Sequence, residues 1–306
     1  MKLEKPATAA PMVPSRELEI AVTIPLVDAA NHITFKRSIL FPKYELTMDV
    51  LMPRVAAKLP AVVFIPGGGF FDDDTSRYIQ QRVKIAEAGY AVACIEYRII
   101  PQGTYKEAVA DVKSAIRYLR AHADEFHIDG ERIAVMGDSA GGYLAALTGT
   151  TIGNPDFEEG ANLEQSSAVC AVIDLYGLSD LNLIDADFPD AVQQMHDCES
   201  SSQSLFVNGL TFANHRGCSV SANAATARAA NPLTYISGDE PPFLLMHGDK
   251  DVLVSPSQTE ILHQALVDHG VESTRYVVRG ADHAGVYWNQ PEVMTIIIAF
   301  LDAHLK

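Results

Sequence analysis

Residues 133–142 read Ile133-Ala134-Val135-Met136-Gly137-Asp138-Ser139-Ala140-Gly141-Gly142. Four consecutive apolar residues are the signature of a strand buried on both faces, and the small-residue run that follows opens into a helical stretch, Tyr143-Leu144-Ala145-Ala146-Leu147. The join is a G-x-S-x-G pentapeptide, Gly137 to Gly141. Its glycines permit a tight strand-to-helix turn and let the helix lie close to its strand. Such a turn holds Ser139 in a strained conformation with its hydroxyl exposed. The helix N-terminus behind it favours negative charge. The pentapeptide also fits a structural or phosphate-binding turn. Its position between a buried strand and a helix makes Ser139 a candidate nucleophile.

Upstream, residues 61–65 form another continuous apolar run, ending in Pro66-Gly67-Gly68-Gly69-Phe70. Consecutive glycines let backbone N–H groups point inward without Cβ clashes, so this loop can donate to a developing oxyanion; a flexible turn is the plainer account. Further outward the chain alternates strands with helices. Strands are predicted at 34–41 and 45–52, joined by the turn Pro42-Lys43, then at 91–97, 169–175, 243–246 and 273–278. Helices are predicted at 76–88, 105–123, 256–269 and 291–304. In 105–123, Ala108, Val112, Ile116 and Leu119 share one face. This rhythm implies an α/β fold with a mostly parallel central sheet and helices on both faces. It breaks over 178–236, a Ser-, Asn-, Asp- and Ala-rich stretch without a clear strand, which reads as an inserted cap. Residues 1–32 read as an N-terminal arm and 33–306 as one body carrying the cap.

The chain has 306 residues, 48% of them apolar, enough for a large core. Its net charge is −16, which opposes binding to nucleic acid or anionic lipid. No run of about 18 apolar residues is present, so no membrane span is expected. The first twenty residues lack the apolar stretch of a secretory signal, and a cytoplasmic location is the expectation. The four cysteines form no CxxC pair, and no metal or organic cofactor motif is present. Cys94 and Cys170 read as core residues. Cys198 and Cys218 read as free thiols, with pairing as the alternative.

Taken as a set, Gly67-Gly68-Gly69, Glu96-Tyr97-Arg98, Gly137 to Gly142, Asn231-Pro232-Leu233 and His247-Gly248-Asp249-Lys250-Asp251 resemble the hormone-sensitive-lipase-like and acetyl- and feruloyl-esterase-like carboxylesterases of the α/β-hydrolase superfamily. The resemblance runs over roughly 33–306. It implies an α/β-hydrolase fold, an oxyanion hole made by the N–H groups of Gly68, Gly69 and Ala140, and a small ester as the partner. One departure is Pro66, where the family usually has a histidine that braces the loop; proline stiffens the chain but has no N–H.

A serine nucleophile needs a base, and the base needs an orienting carboxylate. In this superfamily their chain order is serine, acid, histidine. Of the late histidines, His263 and His269 fall in one helical pattern and His304 near the end of another. His283 lies in the loop Gly280-Ala281-Asp282-His283-Ala284-Gly285 after a strand, where it can reach the serine. Asp249 and Asp251 both follow the 243–246 strand. The family's G-x-x-D-x-x-V pattern implies Asp251, leaving Asp249 as a turn residue.

Phe70, Phe71 and Trp288 flank these loops and are candidate pocket walls, though core packing accounts for any one of them equally well. Arg98 and Asp111 are an expected structural pair. Asp72-Asp73-Asp74 either binds a cation or caps a helix starting near Thr75. Between Ile133 and His215 there is no Lys or Arg against twelve acids, which predicts a negative rim or simply a solvated face. The expected activity is hydrolysis of small neutral esters with short or aromatic acyl groups. The alternatives are an amidase, arylformamidase-like or a peptidase, and a non-catalytic ligand receptor on the same fold.

Overall fold

The computed structural model describes residues 15–39, 43–211 and 215–306. In chain order its elements are β1 (Val27–Ser38), β2 (Tyr44–Pro53), β3 (Leu59–Ile65), α1 (Ile79–Glu87), β4 (Ala91–Ile95), α2 (Tyr105–Ala121), β5 (Ile128–Asp138), α3 (Ala140–Thr150), β6 (Val172–Leu175), α4 (Asp190–His196), α5 (Ser202–Asn208), α6 (Ala224–Ala229), β7 (Phe243–Gly248), α7 (Ser257–Asp268), β8 (Ser273–Val278) and α8 (Pro291–Leu305). The strands form one sheet in the order β1-β2-β4-β3-β5-β6-β7-β8. The first three in that order are antiparallel neighbours, and the rest are parallel. This is the α/β arrangement that the strand–helix rhythm implies.

The central strands are apolar throughout because both faces of the sheet are covered. Every residue of β3 is buried. Ala61, Val63 and Ile65 pack in the cluster that holds α2, α3 and α7; Val62 and Phe64 point the other way, toward α1 and α8. The side-chain alternation of a strand thus feeds two cores at once. A buried ionic group ties the antiparallel edge to the body. Asp111 accepts Lys36 Nζ at 2.6 Å and Arg98 Nε at 2.8 Å, and the expected Arg98–Asp111 pair is present.

The structure departs from the sequence reading in several places. Strand β1 begins at Val27, inside the stretch read as arm, and pairs with β2 from Val27 opposite Pro53 onward. An edge strand is half exposed, so its sequence lacks the apolar run that marks a buried one. The predicted turn at Pro42-Lys43 includes Pro42, outside the described residues. Helix α1 starts at Ile79, behind a left-handed Tyr78, and the three aspartates do not cap it. Asp72 and Asp74 instead accept the N–H groups of Asp74 and Ser76 in successive turns, and Asp73 accepts that of Tyr97. Cys170 is only partly buried, with Sγ on the Glu131 carbonyl, because it sits just ahead of β6 where cover is incomplete. Cys94 is buried, and Cys198 and Cys218 are unpaired thiols.

Residues 178–236 carry α4, α5, α6 and short 3-10 turns at Ser221–Asn223 and Pro232–Tyr235. One side chain of the body, Gln258, and one from the segment's own far end, Asn231, hold its start. Gln258 Oε1 accepts the N–H groups of Ser179 and Asp180, both at 2.9 Å, and Asn231 Oδ1 accepts that of Leu181 at 2.9 Å. Among the described residues no helix is long and apolar enough to cross a membrane.

Candidate active site

Ser139 stands between β5 and α3 at φ 51°, ψ −119°, a left-handed conformation that a non-glycine residue adopts only when its surroundings impose it. The neighbouring glycines are what make the turn possible. A Cβ on Gly137 would overlap the Gly141 carbonyl, and one on Gly141 would overlap the Ile65 carbonyl in the adjacent strand. Ser139 N–H is spent on the Leu175 carbonyl at 2.8 Å, which fixes the turn to β6.

His283, in the loop after β8, meets this serine. Its Nε2 lies 2.8 Å from Ser139 Oγ, and its Nδ1 lies 2.7 Å from Asp251 Oδ2. Three residues distant in sequence are thus in one hydrogen-bonded line. Asp251 Oδ1 accepts the N–H groups of Leu253 and Val254 at 2.9 and 3.0 Å. Burial alone would raise this carboxyl, but hydrogen bonds from His247 and His283 outweigh it and hold Asp251 well below the usual carboxylate range. Asp249 faces away: its Oδ1 accepts the Gly280 N–H at 2.6 Å, tying together two loops. His263, His269 and His304 contact Ser273, Ala265 and Glu272, apart from the serine.

The loop after β3 lies over Ser139, and Gly68, Gly69 and Ala140 line the same cavity as the serine. The cavity has a volume of about 530 Å³. Phe70 lines it too, stacked on Phe206 at 4.0 Å, and Leu178, Ile184 and Met195 face it from the segment above. Two of the three candidate wall residues lie elsewhere. Phe71 is half exposed and outside the lining. Trp288 is fully buried behind the site, its Nε1 donating to the Asp282 carbonyl at 3.2 Å. Trp288 packs on Tyr176 at 4.4 Å, and Tyr176 meets the His283 ring edge-on at 4.9 Å, so the tryptophan backs His283 and does not wall the pocket.

Sequence reasoning missed four residues. His247 is fully buried and reaches Asp251 Oδ2 from the far side at 3.1 Å; the His-Gly-x-x-Asp spacing was its signal. Asp138 Oδ1 accepts the Gly67 N–H at 2.9 Å, and burial pushes its carboxyl up to about 6 against the lowering pull of the Tyr78 hydroxyl and that N–H. Tyr176, at φ 47°, carries no local signal. Arg77 lines the cavity, bonded to the Gly67 carbonyl and to Asp72, so the site includes a cation from outside the acidic segment. On the other side, an adjoining cavity of about 580 Å³ is lined by Asp185, Asp190 and Asp197.

A mostly parallel sheet with a serine elbow after β5, an acid after β7 and a histidine after β8 defines an α/β-hydrolase. The chain belongs to the BD-FAE family, whose model matches residues 48–266. It is similar to "Esterase LipC" of Mycobacterium tuberculosis (strain ATCC 25618 / H37Rv), at 30% identity over 202 residues, 65% of this chain and 46% of LipC. The chain spans about half the length of the curated relatives it matches. Among solved structures, a truncated form of a carbohydrate esterase from gut microbiota superposes with a TM-score of 0.79 at 21% identity, covering 93% of this chain and 98% of that one. Thermogutta terrifontis esterase 2, phosphorylated by paraoxon, superposes with a TM-score of 0.68 at 22% identity, covering 90% and 94%. These two likenesses bear on the fold.

Proposed function

We propose that this chain is a serine carboxylesterase acting on small neutral esters through an acyl-enzyme. The observation that carries the reading is the position of His283, within hydrogen-bonding distance of Ser139 Oγ on one nitrogen and of Asp251 on the other. His283 takes the Ser139 proton as Oγ attacks the ester carbonyl, and Asp251 stabilises the imidazolium that results. The oxyanion forms against the N–H groups of Gly68, Gly69 and Ala140. Among the described residues no acceptor takes these three donors. His283 then protonates the leaving alcohol, and water hydrolyses the acyl-enzyme by the same route.

The carboxylates beside the site, Asp185, Asp190 and Asp197, support a preference for neutral over polyanionic esters. The test is a panel of p-nitrophenyl esters of increasing chain length, a matching anilide and an acyl-CoA, run on the parent and on Ser139→Ala. Ester turnover that vanishes in the variant is the expected result. A parent no faster than Ser139→Ala sinks the hydrolase reading in favour of a ligand receptor. Faster turnover of the anilide moves the assignment to an amidase, and faster turnover of acyl-CoA removes the neutral-ester preference.

A further inference from the structure

The oxyanion loop begins at Pro66, which has no N–H of its own to anchor it, and three side chains grip the loop. Tyr97 Oη donates to the Pro66 carbonyl at 2.8 Å, and Arg77 Nη1 donates to the Gly67 carbonyl at 3.1 Å. The third grip is of a different kind. Asp138 Oδ1 accepts the N–H of Gly67, the residue directly before the first proposed donor, at 2.9 Å. Asp138 is 1% exposed and is chain neighbour to Ser139, so one residue ties the nucleophile turn to the donor loop. The fit is close enough to be restrictive: a Cβ on Gly67 would press on the Asp138 carbonyl and carboxylate at 2.5 Å. Only φ and ψ of Gly67 separate the plane that carries its N–H from the plane that carries the Gly68 N–H; Asp138 holds the first plane, and Arg77, through the Gly67 carbonyl, holds the second.

We propose that Asp138 is the positioning residue of the oxyanion loop, anchoring Gly67 so that the Gly68 and Gly69 N–H groups are held ready for the oxyanion. The proposal rests on the hydrolase reading above and goes one step deeper into that site. It assigns Asp138 no contact with substrate. Its effect is on how well the donors are aimed. It follows that Asp138 matters to the transition state more than to ground-state binding.

The experiment compares the full-length parent with Asp138→Ala and Asp138→Asn, using p-nitrophenyl acetate. Competent sites are counted by titration with a fluorophosphonate run to completion, so that misfolded protein does not enter kcat. The alanine variant is expected to lose roughly 10–100-fold in kcat with KM within about threefold. The asparagine variant, whose amide oxygen can still accept the Gly67 N–H, is expected to recover most of that loss. Affinity for a trifluoromethyl ketone, which forms an oxyanion on Ser139, should fall in proportion to kcat/KM across the three proteins. A merely structural role would lower the count of competent sites and leave the kcat per site and the ketone affinity unchanged. If the alanine variant does not fold, Asp138→Ser replaces it, because its shorter hydroxyl falls short of Gly67. An alanine or serine variant with parental kcat per site, or an asparagine variant as damaged as the alanine one, overturns the proposal. A parent no faster than Ser139→Ala overturns the hydrolase reading instead, and Asp138's role with it.

Discussion

His247 Nε2 donates to Asp251 Oδ2 at 3.1 Å from a fully buried position, opposite the imidazole of His283 on the same oxygen. His247 Nε2 also lies 3.0 Å from the Val254 carbonyl, and both of those partners can only accept, so this nitrogen carries the hydrogen. At Nδ1 the partner is the Thr259 hydroxyl at 3.1 Å, which in turn receives Arg275 Nε at 3.1 Å. Asp251 is thus satisfied from behind before His283 contacts it.

Replacing His247 with alanine should lower kcat/KM about tenfold, the effect of losing one hydrogen bond to a charged group, about 1.5 kcal/mol. Stability carries a pH signature as well. Asp251 is held below the usual carboxylate range in the folded chain, so it contributes stability above the ordinary aspartate pKa of about 4 and loses it as pH falls further. The gap in Tm between parent and His247→Ala should therefore be widest near pH 7 and shrink below about pH 4. A gap that stays constant from pH 7 to pH 3 removes His247 from the control of Asp251.

Asp174 behaves in the opposite sense. Burial pushes this fully enclosed carboxyl up to about 7, only partly offset by the Gly177 N–H on Oδ1 at 2.8 Å. A raised acid stabilises the fold below its unfolded pKa of about 4 and loses that contribution as pH rises through its folded value. Asp174→Asn cannot ionise, so its Tm relative to the parent should climb between pH 5 and pH 8. Differential scanning calorimetry at the two pH values checks the sign; a relative Tm that falls refutes it.

Gly141→Ala should destabilise the chain by about 3 kcal/mol or more and abolish fluorophosphonate labelling of Ser139, because the added Cβ meets backbone in β3 and not a movable side chain. Urea unfolding alongside the labelling assay tests both parts. Ordinary stability with full labelling would mean that the elbow tolerates a wider spacing.

Asp111→Ala should cost about 3–5 kcal/mol, since it strands Lys36 and Arg98, two buried cations, without their shared partner. Chemical denaturation measures it, and a loss under about 1 kcal/mol would mean that Glu159, which contacts both cations, replaces Asp111.

The parts of this fold that could be read from sequence are those where both sides of an element are buried. The apolar run before Gly137 and the one before Pro66 marked two central strands because parallel strands covered on both faces leave no polar position to confuse the pattern. Strand β1 escaped in part because only two of its twelve residues are buried. Trp288 could be placed beside the His283 loop, but pocket wall and core packing stayed equally open, because sequence distance from His283 says nothing about which side of the ring a neighbour occupies.

By itself the sequence determined the α/β rhythm, the serine elbow and the short set of candidates for base and acid, since each strand, helix and motif is read from its own short stretch of chain. Only the tertiary structure decided that His283, Asp251 and Ser139 share one line of hydrogen bonds, that His247 stands behind Asp251 and that Asp138 accepts from the glycine loop. Each of these side-chain contacts forms among the carboxyl ends of the strands and the loops that follow them. Apart from His247 and Asp251, which are four residues apart, their distances are set by the order of strands in the sheet, which no local pattern records.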